Sequence, residues 1–312
     1  MVAHELCLGS ALSGSLLDGS TSLDESYRHV VDMQKSDPVW VAIFTSKGKI
    51  MKFITSDQVR LDYEDEGTGY PVILVSGLGM CKEIWRPTKE FLLQNGYRVI
   101  TFDARNQGAS EHTFKGARIS RHAIDVYELL KSLSIEHCLA VGHSMGASTM
   151  FGYVSLFGRG QLDGLIDIDQ SPKMINDETW HYGFKDLTWD DFPAALKMPL
   201  GRATAVKIDE ATVNAVRQAN TLHPYDQSAN FNFAIDHAFQ DWRDIVALMP
   251  VPFLAVAGEK SPYFNPDFLQ AIQILNEKAQ TQVVANAGHA VMAEQPAAFN
   301  QILDRFAMSV QS

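Results

Sequence analysis

No stretch of the chain approaches the ~18 consecutive apolar residues of a membrane-spanning helix, so none is expected. The N-terminus carries His4 and Glu5 where a secretory signal would place Lys or Arg, and no long apolar core follows. Cysteine is scarce. Cys7, Cys81 and Cys138 are odd in number, far apart and without metal-ligand spacing. That argues against a disulfide scaffold and for a reducing compartment. No His or Cys cluster has ligand spacing, so no metal and no cofactor is expected. Basic residues are few: 26 Lys and Arg stand against 37 Asp and Glu, for a net charge of -11 without a basic cluster. Such a balance disfavours binding to nucleic acid or to an anionic membrane surface. The expectation is a soluble, cytoplasmic protein. Internal repeats and low-complexity linkers are absent too. What remains is ample: 46 % apolar residues in 312 suffice for one large α/β domain with an insertion, or for two small ones.

Residues 1–48 read as an extension to the main domain. Ser22-Leu23-Asp24-Glu25 fits a capping box, followed by Tyr27, Val30 and Met33 at roughly helical spacing. Val39 to Phe44 is an apolar run. A strand, a helical turn and an arm onto the partner of a homodimer all stay open for it. From Ile50 onward, strand-like and helix-like stretches alternate. Val72 to Val75, Arg98 to Phe102, Cys138 to Val141 and Leu165 to Asp169 are short and mostly apolar, as strands buried on both faces require. The alternation predicts a mostly parallel sheet with helices on both faces. It stops between Pro172 and Pro250, a stretch rich in aromatics and acids, and resumes with Phe253 to Ala257. Residues 49–172 and 251–312 are therefore expected to form the core, and 173–250 an inserted helical lid whose Trp180 and Trp189 line a substrate pocket.

The chemistry centres on Gly142-His143-Ser144-Met145-Gly146, a G-x-S-x-G pentad between an apolar strand and a small-residued helix. A sharp strand-to-helix turn lifts the serine above the sheet, and its neighbours two residues away must be small. Serine needs a base. His289 is the candidate, in a Gly-flanked loop after the last strand. The base needs an acceptor on its far nitrogen. Asp169, at the end of the strand after the pentad, is preferred over Glu259, and Ser261 can add a hydrogen bond. An oxyanion would need two backbone donors, for which the N–H groups of Met145 and Leu78 are best placed.

From about Ile50 onward the chain resembles the α/β-hydrolase superfamily, within it the capped esterases that include cofactor-free haloperoxidase-like proteins. The matching stretches are Ser76-Gly77-Leu78-Gly79 with Trp85, Asp103 to Ser110, the pentad, Asp169-Gln170-Ser171-Pro172, Gly258 to Tyr263 and Gly288-His289. The family often has His-Gly where this chain has Ser76-Gly77, and Arg-Gly where it has Arg105-Asn106. The resemblance implies hydrolysis of a small ester, lactone or thioester through an acyl-enzyme on Ser144. Perhydrolysis or haloperoxidase-like chemistry, acyl transfer and a non-catalytic ligand receptor are the alternatives on the same fold.

Overall fold

Val72 and Leu74 pack against one layer of helices, and Ile73 and Val75 against the other. Alternation along a strand sends successive side chains to opposite faces, so a strand apolar at every position needs cover on both. The computed structural model describes residues 41–45, 48–198 and 200–311. Nine strands form one sheet: β1 Val41–Thr45, β2 Gly48–Ile54, β3 Arg60–Glu66, β4 Pro71–Val75, β5 Arg98–Phe102, β6 Cys138–His143, β7 Leu162–Ile168, β8 Phe253–Gly258 and β9 Gln280–Val284. Their order is β1-β2-β3-β5-β4-β6-β7-β8-β9. The first three strands and the β3–β5 pair are antiparallel, and from β5 to β9 every pairing is parallel.

Helices α1 (Arg86–Gln94) and α9 (Pro296–Gln311) cover one face. Phe299, Leu303 and Phe306 of α9 are buried at i, i+4 and i+7, the stripe an amphipathic helix turns to a sheet. Helices α2 (Ile119–Ser132), α3 (Met145–Phe157) and α7 (Phe268–Leu275) cover the other. The sheet reaches further back than residue 49, because β1 pairs with β2 from Val41↔Lys52 to Thr45↔Gly48. The apolar run from Val39 thus supplies a sheet strand. The capping box at Ser22 lies outside the described residues.

Among the described residues, 173–250 add no strand to the sheet. They carry α4 (Glu210–Leu222), α5 (Phe231–Phe239) and α6 (Arg243–Ala247), joined by irregular chain. A short α8 (Val291–Glu294) lies between β9 and α9.

Candidate active site

The candidate residues all follow the C-terminal ends of parallel strands. Leu78 comes after β4, Ser144 after β6, Asp169 after β7, Ser261 after β8 and His289 after β9. Loops at this edge of an open α/β sheet converge on one crevice.

Ser144 sits at φ 54° and ψ −124°, between the last residue of β6 and the first of α3. A side chain at positive φ is strained, and the surrounding structure must hold it there. It does so by closeness. A Cβ on Gly142 would lie 2.6 Å from Ala147 Cα, and one on Gly146 would lie 2.2 Å from the Val75 carbonyl oxygen. Only glycine lets strand and helix approach this far. The Ser144 N–H donates to Ile168 O at 2.8 Å, which fastens the turn to β7.

His289 Nδ1 lies 2.7 Å from Asp169 Oδ2. The same carboxylate accepts the Ser261 hydroxyl on Oδ2 at 2.6 Å and the Gly258 N–H on Oδ1 at 3.0 Å. Asp169 has φ 54°, so the backbone leaves the strand's alternation at this residue. Both partners are buried, Asp169 at 0 % and His289 at 4 % exposure. Burial pushes the His289 imidazole down to about 3. Burial also pushes the Asp169 carboxyl up, against the pull of the Ser261 and Gly258 donors. The ring is therefore neutral at neutral pH. With Nδ1–H donated to the carboxylate, Nε2 is left as the acceptor. His143, next to Ser144, is turned away from this role: it is fully buried, and its Nε2 bonds to the His289 backbone carbonyl at 2.9 Å.

Ser144 and His289 open into one cavity of about 410 Å³. No hydrogen bond joins them directly among the described residues. Such contacts often close only when substrate is bound. At the cavity's edge the N–H groups of Leu78 and Met145 donate to no protein acceptor among the described residues. The loop carrying Leu78 is fastened on both sides. Trp85 Nε1 donates to Ser76 Oγ at 2.9 Å, and the Gly79 N–H donates to Gln107 Oε1.

The sequence pattern did not reveal Gln107 as a fastener, nor Glu294. Buried Glu294 accepts from the N–H groups of Gly288 and Ala290 on either side of His289, at 3.0 and 3.1 Å. It also accepts from Ala205 and Val206, at 2.6 and 3.0 Å. One carboxylate thus holds the His289 loop and the 203–206 stretch together. A lone Glu in a helical context carries no sequence signal for this.

Two expected pocket residues lie elsewhere. Trp180 is buried beside the cavity's wall, its Nε1 donating to Ser171 Oγ at 3.0 Å and its ring edge-on to Tyr182. Trp189 is 48 % exposed and packs edge-on against Phe192 and Phe239. Among the residues of 173–250 that instead line the wall are Met174, Phe184, Tyr225, Gln227, Phe231 and His237. Large aromatics in this stretch suggest the pocket, but Trp180 is spent on packing and on its bond to Ser171, and Trp189 lies half-exposed away from the cavity. Glu259, the rival acid, is exposed and accepts the Asn286 N–H at 2.8 Å.

Among the described residues no group of His, Cys, Asp and Glu is arranged to hold a metal ion. No helix among them is long and apolar enough to cross a membrane. Cys81 and Cys138 are both buried free thiols.

Comparison with known proteins matches this geometry to known chains. The sn-1-specific diacylglycerol lipase ABHD11 of Xenopus laevis is 27 % identical over 266 residues, covering 79 % of this chain and 82 % of the relative. An esterase from Exiguobacterium antarcticum superposes with a TM-score of 0.74 at 21 % identity, over 84 % of this chain and 99 % of its own. A bromoperoxidase from Bacillus anthracis superposes at 0.70 and 19 % identity, over 86 % and 99 % of the two chains. The sequence also matches the alpha/beta hydrolase family over residues 72–302, from β4 into α9. With that span covering the parallel strands and every candidate residue, the chain belongs to the α/β-hydrolase family.

Proposed function

We propose that the protein is a serine hydrolase of the carboxylesterase type, acting on a neutral carboxylic ester, lactone or thioester. The observation that carries this reading is the Ser144 turn at positive φ, sharing one cavity with a buried His289 bonded at 2.7 Å to Asp169. Ser144 Oγ attacks the acyl carbon while His289 Nε2 takes its proton. Asp169 holds the ring in that tautomer and stabilises the imidazolium that forms. The free N–H groups of Leu78 and Met145 receive the oxyanion. A donor of this kind is worth about 3 kcal/mol of barrier where it has been removed from other enzymes. His289 then returns the proton to the leaving alkoxide or thiolate and activates water to release the acyl group. Residues 173–250 act as a lid, since their side chains form much of the cavity wall. The names of the similar proteins, a lipase, an esterase and a bromoperoxidase, fit chemistry at an acyl centre.

Ser144→Ala should reduce kcat/KM on 4-nitrophenyl butyrate by about 10⁴-fold or more with unchanged thermal unfolding. A fluorophosphonate should label wild type at Ser144 alone. Full activity in the alanine variant, or labelling at another residue, refutes the assignment.

A further inference from the structure

The cavity at Ser144 has no charged wall: Asp, Glu, Lys and Arg are all missing from its described lining. Most of the surface is aliphatic or aromatic. Of the polar side chains on it that have no part in the hydrolytic steps, Gln170, Tyr225, Gln227, His237 and Tyr263, two carry a buried atom without a partner. His237, on α5, is 4 % exposed, and its Nδ1 is sealed from solvent with no hydrogen-bond partner. Nor does its Nε2 have a protein partner among the described residues. Burial draws this imidazole down to about 4, so it is neutral at neutral pH. A neutral imidazole presents one donor and one acceptor. Gln170, next to Asp169, is 1 % exposed; its Nε2 donates to Ser171 O at 2.8 Å, while its Oε1 accepts from nothing.

Buried polar groups in folded proteins are nearly always paired. The His237 Nε2, unpaired and not sealed, leaves its partner to the occupant of this apolar cavity, whereas the sealed Gln170 Oε1 lies out of the occupant's reach. A hydroxyl suits it best, because a hydroxyl both gives and accepts and so pairs with Nε2 in either tautomer of the neutral ring. A charged group is disfavoured by a wall with no counter-charge.

We propose that His237 is a specificity determinant that hydrogen-bonds a hydroxyl on the non-reacting part of the substrate. The substrate class is then a neutral hydroxy-ester or hydroxy-lactone rather than a plain aliphatic ester. The proposal rests on the serine-hydrolase reading above.

Two matched pairs of esters test it. Ethyl butanoate against ethyl 3-hydroxybutanoate probes the acyl side, and propyl butanoate against 2-hydroxypropyl butanoate probes the alcohol side. In wild type the hydroxylated member of at least one pair should lead in kcat/KM by about tenfold or more. His237→Phe should erase that lead, and His237→Gln, which keeps a hydrogen-bonding group, should restore part of it. Fluorophosphonate labelling of Ser144 should stay within about threefold of wild type in both variants, because the nucleophile is untouched. Equal rates within both pairs, or an undiminished lead in His237→Phe, overturn the proposal. If His237→Phe does not fold, His237→Leu takes its place beside His237→Gln, with the same two outcomes. Failure of the hydrolase reading shows separately, as no labelling of Ser144 and no turnover of any ester. Calorimetric binding of the same pairs then decides: hydroxyl-selective binding that His237→Phe abolishes upholds the recognition role, and indifferent binding ends it.

Discussion

At the scale of single residues, the site separates a hydrogen-bonded acid from its neighbours. Asp169→Asn would leave His289 Nδ1 facing an amide and favour the wrong tautomer, a change that costs about 10⁴-fold in the reference triad. Ser261 only shares the carboxylate, so Ser261→Ala should cost up to about tenfold in kcat/KM. Glu259→Gln, on an exposed carboxylate bonded to a backbone N–H, should cost less than about threefold. A large loss in Glu259→Gln with Asp169→Asn near normal would reverse the assignment. The pH profile follows from burial. Protonated His289 cannot take the Ser144 proton, so activity falls as pH drops through its pKa. Burial lowers that pKa, so the acidic limb of kcat/KM should lie below the ordinary histidine value of about 6.5. A limb at or above pH 7 would contradict the buried, neutral ring. Ser144 and His289 were legible in the sequence because glycine spacing and chain order mark them. Asp169 was legible for an incomplete reason. Alternation groups it with Asp167, yet β7 ends at Ile168 and the positive φ of Asp169 breaks the alternation before it meets His289. His237 and Glu294 left no trace, since a single polar residue in an amphipathic stretch reads as surface.

At the scale of elements, the tight points are where backbone meets backbone. A Cβ on Gly258, the last residue of β8, would lie 2.0 Å from the Gly288 carbonyl oxygen in the His289 loop. Gly258→Ala must therefore displace His289, and activity should fall by more than about a hundredfold, well beyond what its loss of stability explains. Retention of wild-type kcat/KM would show that the loop yields freely. The Asp103 to Ser110 loop is fastened differently. Arg105, fully buried, forms paired hydrogen bonds to Asp125 of α2 at 2.7 Å each, and further bonds to Asp57 at 3.0 and 3.1 Å. Arg105→Met would leave buried Asp125 with Arg121 alone, which donates to its Oδ1 at 3.0 and 2.8 Å. Unfolding in urea should show a loss of about 1.5–3 kcal/mol, with kcat per folded molecule little changed. The strands of the core were legible because apolar runs buried on both faces leave a strong pattern. Their ends were not. β7 begins at Leu162 and β9 at Gln280, earlier than the apolar runs suggest, because Leu162 still pairs with Cys138 ahead of a register shift and polar Gln280 still pairs with Leu254.

At the scale of the whole molecule, two charge effects act in one direction. The chain carries a net charge of -11, and the described cavity lining holds no cation. An anionic acyl group meets repulsion on approach and an uncompensated burial on arrival. Turnover of 4-nitrophenyl hemisuccinate should therefore trail 4-nitrophenyl butyrate by at least about tenfold. Raising the salt should narrow that gap without closing it, because ions screen the surface field and not the buried cavity. A gap that vanishes in salt would place the discrimination on the surface alone. The break in alternation marks the stretch that adds no described strand to the sheet, but not which of its side chains face Ser144, since its packing follows neither a helical nor a strand period.

The Glu294 carboxylate, clasped at once by Gly288, Ala290, Ala205 and Val206, bears on how such a molecule can diversify. Residues 173–250 are tied to the His289 loop through this carboxylate. A chimera that takes residues 173–250 from a relative inherits a foreign backbone at the very point where His289 is held in register. Exchange of the whole segment should cost activity on every ester alike, while point changes within it retune preference. New specificities are then most accessible through substitutions on α5, which stands clear of that clasp.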